Sequence, residues 1–318
     1  MKCKICNNKT IVKYKGLFDD RHGYPGKFNL LECVDCGFIQ TNPRLNNQQI
    51  SGIYSKYYPR QDVDIKSVRT AGENMPAIDK IRKKGLIGTC HFHTKKGEKV
   101  LDIGSGVGYS LVEIKALGGK AWGLDPDDNS SKVANKLKLN FHKGFIDDCP
   151  FERNSFDLIT ASQVLEHIPN PLRFLKTAKK FLKPNGRILL SFPNTGALYQ
   201  KLWGQKWLHW HIPYHLNHFN RKSFETLVNQ SGLRTISIKT ATPNLWTILQ
   251  IKSWLNNVRE GERDGMWDGK PVDAKRGQAK HKEKLLQFLP LIEKILGVNR
   301  LIDWLGLGES FVVELRQK

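Results

Sequence analysis

Between Lys99 and Phe192 short apolar runs alternate with stretches of helical periodicity, the pattern of a parallel sheet whose strands are joined by crossover helices. Strands are expected at 98–103 (EKVLDI), 120–125 (KAWGLD), 140–143, 156–161 (FDLITA) and 187–192 (RILLSF), with helices near 108–117, 130–137 and 171–182. A helix at 223–231, stopped by Gly232, and two further strands at 234–240 and 311–316 complete the expected fold. The class is α/β, with a doubly wound, mostly parallel seven-stranded sheet.

This core is expected to occupy 96–242 and to close with its final strand at 308–318. Ahead of it lie a Cys-bearing segment at 1–45 and a connector with a leading helix at 46–95. In the connector Met75 to Gly88 reads as helix, and Tyr54, Tyr57 and Tyr58 read as docking on the neighbouring domain. Residues 243–307 are an insertion, with a charged loop at 257–284 followed by LLQFLPLIEKILG at 285–297. There Leu285, Leu289, Ile292 and Leu296 form one helical stripe beside Lys282, Lys284 and Lys294. Such a stripe either covers the protein's own core or rests on a membrane surface. No run of about 18 apolar residues is present, and Met1 is not followed by a hydrophobic signal region, so a cytosolic protein is expected, with peripheral contact at the inner membrane face left open. Lys and Arg number 51 against 30 Asp and Glu, a net charge of +21 that favours phosphates, acidic lipids or anionic sugars as partners.

The first strand of the core runs into the turn GSGVG, where Gly104, Gly106 and Gly108 let the backbone approach a ligand. Asp125 closes the next strand some twenty residues on, where a carboxylate accepts hydrogen bonds from both hydroxyls of a ribose. That placement alone would suit a dinucleotide equally well. Asp102 discriminates: it lies just before the glycines, where a pyrophosphate would require the absence of negative charge. A ligand carrying a sulfonium and an ammonium group suits carboxylates at both positions.

With these residues in place, the chain resembles the class I S-adenosylmethionine-dependent methyltransferases, which have a Rossmann-like sheet. VLDIGSGVG looks like their first motif, GLDP like their ribose-binding acidic turn, GFIDDCPF like their adenine-side segment and FDLITASQVLEHIPNP like their fourth motif. SFPN at 191–194 and HLNHFNRKSFETLVNQSGL at 215–233 are also in family style, so the resemblance runs from about residue 95 to 232. It implies that Gly104, Ser105, Gly106 and Gly108 form the turn around the methionine part of S-adenosylmethionine. Asp125 and Pro126 would hold the ribose side, with Asp102 nearby, and Asp147 or Asp148 would take the adenine amino group. Ser162, Gln163 and Val164 would line the cofactor floor.

Cys3, Cys6, Cys33 and Cys36 form two Cys-x2-Cys pairs 26 residues apart, the spacing of two knuckles closing a tetrahedral four-thiolate Zn2+ site. The long intervening stretch reads as a hairpin with GYPG at 23–26 in its turn. Four thiolates leave no open coordination position, so a structural metal is expected. Cys90 and Cys149 fall outside the pattern and read as inert. A zinc-ribbon-like segment ahead of such a core is similar to methyltransferases of sugar, polysaccharide and antibiotic pathways.

An already activated methyl group needs mainly an aligned acceptor and a base for its proton, usually histidine. His167, His215 and His218 are the candidates, with His209 and His211 in the same aromatic stretch, YQKLWGQKWLHWHIPYHLNHF at 199–219. That stretch either walls an acceptor pocket or packs Trp203, Trp207 and Trp210 into a core. Glu166 and His167 follow Gln163 as in the E-x-x-E-H metal motif of ubiquinone-type O-methyltransferases and small-RNA end methyltransferases, but Gln163 stands in place of the first carboxylate. The two residues are therefore expected to shape the boundary between cofactor and acceptor.

Three functions fit these features. The first is methylation, chiefly at oxygen, of a small molecule or glycan: a sugar nucleotide, a polysaccharide or a lipid-linked glycan intermediate. The second is ribose or end methylation of RNA, favoured by the +21 charge but not by ASQVLEH, which lacks the Asn/Asp-Pro-Pro-aromatic sequence of base-amino methylation. The third is a non-catalytic zinc-ribbon binding protein. Acceptor identity and oligomeric state are not legible in the sequence.

Overall fold

A computed structural model of the chain describes residues 1–57, 65–74, 89–256, 258–267 and 297–318. Tyr58, the helix expected from Met75 to Gly88 and residues 285–296 of the amphipathic stretch lie outside them. The chain divides into two compact units, one built from Met1–Arg60, Asn194–Asn220 and Thr242–Glu309, the other from Gln61–Pro193, Arg221–Ala241 and Ser310–Lys318.

Among the described residues the strands are numbered β1 to β11 in chain order. The first unit holds an antiparallel sheet in the order β1 (Thr10–Leu17), β2 (Phe28–Cys33), β3 (Ile39–Asn42) and β9 (Asn217–His218). Its core gathers Phe28, Leu30, Ile39, Ile53, Trp207 and Tyr214, with Trp210 and Ile212 alongside. The helix Asn47–Lys56 in this unit begins with a reciprocal cap between Asn46 and Gln49 and contributes Ile53 and Tyr54 to that core.

The second unit is the expected sheet, in the order β10 (Leu233–Ala241), β11 (Ser310–Gln317), β8 (Leu182–Pro193), β7 (Phe156–Ser162), β4 (Lys99–Ile103), β5 (Lys120–Asp125) and β6 (Phe141–Lys143). All strands run parallel except β11, which is antiparallel to both of its neighbours. Val100, Leu101, Leu158, Ile159, Ile188 and Leu190 are buried, as befits central parallel strands covered on both faces. The helix Pro171–Phe181 shows why such segments start where they do. Asn170 accepts from the Arg173 amide at 3.0 Å, Pro171 occupies the first turn, and Phe174, Leu175, Ala178 and Phe181 form the buried stripe.

Chain order reverses between β4 and β7: β4, β5 and β6 step outward one way, β7 and β8 the other. Right-handed crossovers then place the following helices on opposite faces and leave a crevice at the carboxyl ends of β4 and β7.

The division of the chain differs from the sequence reading in two respects. Residues 194–220, expected inside the 96–242 core, belong to the unit that carries the cysteines. The 46–95 connector is likewise divided, and Tyr54 and Tyr57 pack within their own unit, 5.5 Å from Tyr214 and 5.2 Å from Tyr24 between ring centroids.

Candidate cofactor site and cysteine centre

At the end of β4 the chain turns sharply. Gly104 has φ +73°, and a Cβ there would lie 2.5 Å from the Val164 Cγ2 atom, so only glycine allows both the backbone conformation and the approach of the loop after β7. The Gly104 amide donates to the Leu124 carbonyl at 2.8 Å, which ties the turn to the end of β5. The Gly106 amide donates to Asp125 Oδ2 at 3.0 Å, and the Asp127 amide to Asp125 Oδ1 at 2.9 Å. Asp125 is thus fixed beside the glycine turn, with Pro126 exposed next to it. Burial raises the pKa of Asp125, against which the two amide hydrogen bonds act. Gly108 caps the N-terminus of the helix Tyr109–Ala116.

Asp102 is buried in β4 and accepts from the Thr160 hydroxyl of β7 at 2.5 Å. Burial raises its pKa, offset in part by His91. His91 in turn meets Glu113 at 2.6 Å, Nε2 to Oε2. Ser105 is buried, and among the described residues its hydroxyl has no hydrogen-bond partner. Ser162 ends β7 and accepts from the Cys90 amide at 2.9 Å; Gln163 follows in the left-handed region at φ +56°, with its amide on the Ser191 carbonyl at 2.8 Å. Gly104, Ser105, Gly106, Asp125 and Ser162–Val164 are therefore brought to the same strand ends. Cys90 is fully buried, and burial pushes its thiol up to about 12, as an inert position requires.

The two adjacent aspartates part company. Both are exposed, but Asp147 is engaged by the Thr177 hydroxyl at 2.9 Å and Arg173 Nε at 3.0 Å, both on the helix Pro171–Phe181. Glu166 and His167 lie on the short turn Leu165–His167 that follows Val164. Glu166 is buried, and burial pushes its carboxyl up to about 8.

His215 and His218 belong to the other unit, their ring centroids 6.2 Å apart. His215 Nδ1 lies 2.8 Å from the His209 carbonyl, a contact that assigns the proton to Nδ1 and the lone pair to Nε2. His218 is on β9, with Nε2 3.2 Å from the Thr41 hydroxyl and its ring edge-on to Trp210 at 5.0 Å. Trp207 and Trp210 are core residues of this unit.

The four N-terminal cysteines converge, with Sγ separations of 3.7 Å for Cys3–Cys36, 3.3 Å for Cys6–Cys33 and 3.5 Å for Cys6–Cys36. The two knuckles repeat one backbone design. Cys3 N donates to Asn8 O at 2.8 Å and Asn7 N to Cys3 O at 3.0 Å; Cys33 N donates to Phe38 O at 2.8 Å and Gly37 N to Cys33 O at 3.1 Å. The residue after each second cysteine is left-handed, Asn7 at φ +63° and Gly37 at φ +69°. Tetrahedral thiolates about 2.3 Å from a Zn2+ ion would stand about 3.8 Å apart, close to these separations. Burial pushes Cys3 up to about 11. At Cys6 burial, the largest single influence, is outweighed by hydrogen bonds from Asn8 and the neighbouring cysteines, which bring it down to about 7.

A family model described as a methyltransferase domain matches residues 78–238, about half of the chain. The chain belongs to this methyltransferase-domain family. The matched stretch holds the glycine turn, Asp125 and Ser162–Val164. Among relatives of the family, the ubiquinone biosynthesis O-methyltransferase of Glaesserella parasuis serovar 5 is 33% identical over 112 residues, 32% of this chain and 48% of that protein. The enzyme of the same name from Coxiella burnetii is 31% identical over 107 residues, 32% of this chain and 46% of that protein. The chain thus spans about half the length of the curated relatives it matches. A solved structure of a SAM-dependent methyltransferase from Archaeoglobus fulgidus is 16% identical, covers 76% of this chain and 94% of its own, and has a TM-score of 0.46.

Sequence reading of this methyltransferase-domain protein missed Thr160, His91 and Glu113, which support Asp102 and the following helix. The available signal was Glu113, an acidic residue in the apolar run YSLVEIKA that requires a partner if buried.

Proposed function

We propose that the chain transfers the methyl group of S-adenosylmethionine to an oxygen of a small-molecule or glycan acceptor, such as a sugar nucleotide, a polysaccharide or a lipid-linked glycan intermediate. The observation that supports this most directly is the meeting of the Gly104–Gly108 turn, Asp125 and Ser162–Val164 at the ends of β4, β5 and β7. The buried Ser105 hydroxyl, which lacks a protein partner among the described residues, fits a polar ligand lying along the turn. In this reading Gly104, Ser105 and Gly106 hold the methionine part, Asp125 the ribose hydroxyls and Asp148 the adenine amino group, while Asp102 supplies negative charge beneath a cationic ligand. Bound there, S-adenosylmethionine supplies an activated methyl electrophile.

The chain's own work is then alignment and proton removal. His167, on the turn after Val164, is our candidate for the base that takes the acceptor proton; His215, with its lone pair on Nε2, is the alternative. His218 serves the packing of β9. Cys3, Cys6, Cys33 and Cys36 are assigned to a structural Zn2+, which fits a reducing, cytoplasmic setting.

The test is transfer of labelled methyl from S-adenosylmethionine into fractionated cell extract. Label in sugar-nucleotide or lipid-linked glycan fractions supports the reading. Label destroyed by ribonuclease would replace it with RNA methylation, the reading that the +21 charge favours.

A further inference from the structure

We infer that the cysteine-bearing unit carries a docking face for an anionic lipid bilayer, formed by its three helices Leu198–Trp203, Asn244–Leu255 and Val298–Trp304. Large apolar side chains stand in solvent on all three: Leu202 at 67% exposure, Leu245 at 60%, Trp254 at 48%, Leu301 at 58% and Trp304 at 81%, with Leu305 at 54% just beyond the last helix. A single exposed leucine requires no explanation, but a cluster containing two tryptophans marks an interaction surface.

The three helices are bonded to one another. Asn299 accepts from the Tyr199 hydroxyl at 2.9 Å and donates to the Thr247 hydroxyl at 3.0 Å, linking all three. Trp203 and Trp254 lie 5.6 Å apart between centroids. Asn299, Tyr199 and Thr247 thus join the helices, and the leucines and tryptophans named above remain exposed on them.

Charge selects the occupant. The helices LYQKLW and NLWTILQIKSWL contain no acidic residue, and in VNRLIDW the only one, Asp303, is held by Arg300 at 2.8 Å and by the Thr242 hydroxyl at 2.7 Å. Lys201, Lys252 and Arg300 flank the apolar side chains, in a chain of net charge +21. Two copies of a face on which Lys201 and Lys252 are matched by no acidic residue of their helices would repel each other. An anionic bilayer accepts the cations at its headgroups and the tryptophans and leucines at the acyl boundary. Among the described residues no helix is long and apolar enough to cross a membrane, so this contact is peripheral.

The docking does not depend on the acceptor proposed above, although it would bring the chain to a lipid-linked one. The test is co-sedimentation of the full chain with vesicles of phosphatidylcholine and phosphatidylglycerol at about 3:1, against pure phosphatidylcholine, near physiological salt. Leu301→Ser/Trp304→Ser alters two exposed side chains, so the fold should survive, as checked by circular dichroism. The expected result is preferential binding to the anionic vesicles with a blue shift of tryptophan emission, weakened about tenfold or more in the double variant. Absence of anionic-vesicle binding overturns the inference, as does equal binding by the double variant. A dimer that the double variant converts to monomer, without vesicle binding, reassigns the face to self-association and overturns it too. S-adenosylmethionine binding, measured in parallel, separates the two readings: a chain that docks but does not bind it loses only the methyl-transfer proposal, and one that binds it without docking loses only this one.

Discussion

Asp125 accepts one backbone amide on each carboxylate oxygen, which leaves each oxygen further lone pairs for a ribose hydroxyl. Asp125→Ala should therefore remove two charge-assisted bonds to the cofactor, each worth about 1.5–3 kcal/mol. Titration calorimetry should show S-adenosylmethionine binding weakened by roughly two orders of magnitude or more; unchanged binding refutes the ribose assignment. Glu166 offers a second residue-scale prediction. Burial raises its carboxyl from 4.5 to about 8, so the folded chain holds this proton more tightly than the unfolded chain does. Its contribution to stability is complete below the unfolded value and is lost as pH rises through about 8, with a slope of at most about 1.4 kcal/mol per pH unit. Thermal midpoints of Glu166→Gln should fall less steeply than those of the wild type from about pH 5 to pH 9, and parallel curves would refute the effect. Asp102, Gly104 and Asp125 were legible in the sequence because their meaning lies in a fixed order along one stretch of chain. The Thr160 partner of Asp102 was not, because it stands 58 residues away and is brought alongside only by the pairing of β4 with β7. Likewise, nothing in the string DD at 147–148 indicates that Asp147 is taken up by Thr177 and Arg173.

At the scale of elements, the turn after β4 allows no side chain at Gly104. Gly104→Ala combines a left-handed φ with a 2.5 Å approach to Val164, so the loop after β7 must shift. The expected outcome is a chain of native secondary structure, destabilised by about 1–3 kcal/mol and impaired in cofactor binding, as read by denaturant titration and calorimetry. A variant that binds as tightly as the wild type would show that the two loops need not touch. The cysteine knuckles give the other element-scale prediction. Metal analysis of the purified chain should find one Zn2+, and Cys3→Ser/Cys36→Ser should lose it together with several kcal/mol of stability; a metal-free wild type of equal stability would end the assignment. The strands and helices of the large sheet were readable to within a few residues because apolar runs and turn residues agree there. β1 and β2 do form an antiparallel pair around GYPG. The two-residue strand β9 carries no periodicity at all, and its pairing with β3 is a long-range packing outcome.

Over the whole molecule the tryptophans are unevenly shared: Trp122 lies in the unit with the large sheet and the other seven of the eight lie in the cysteine unit. Intrinsic fluorescence therefore reports mainly on one unit, and, in the cofactor assignment proposed above, S-adenosylmethionine binding reports on the other. Chelation of the metal should shift tryptophan emission to the red as Trp207 and Trp210 become wetted, while cofactor affinity changes little; simultaneous loss of both signals would show that the units unfold as one. The cysteine unit is also assembled from three separate stretches of chain, which has a consequence during synthesis. Residues 1–57 leave the ribosome long before Trp207, Trp210, Ile212 and Tyr214, the side chains that complete their core. At roughly 5–20 residues per second the interval is on the order of ten to thirty seconds. The cysteine knuckles need only residues 3–38, so capture of the metal proposed above would fasten this nascent hairpin while it waits, shielding its apolar strands from premature association.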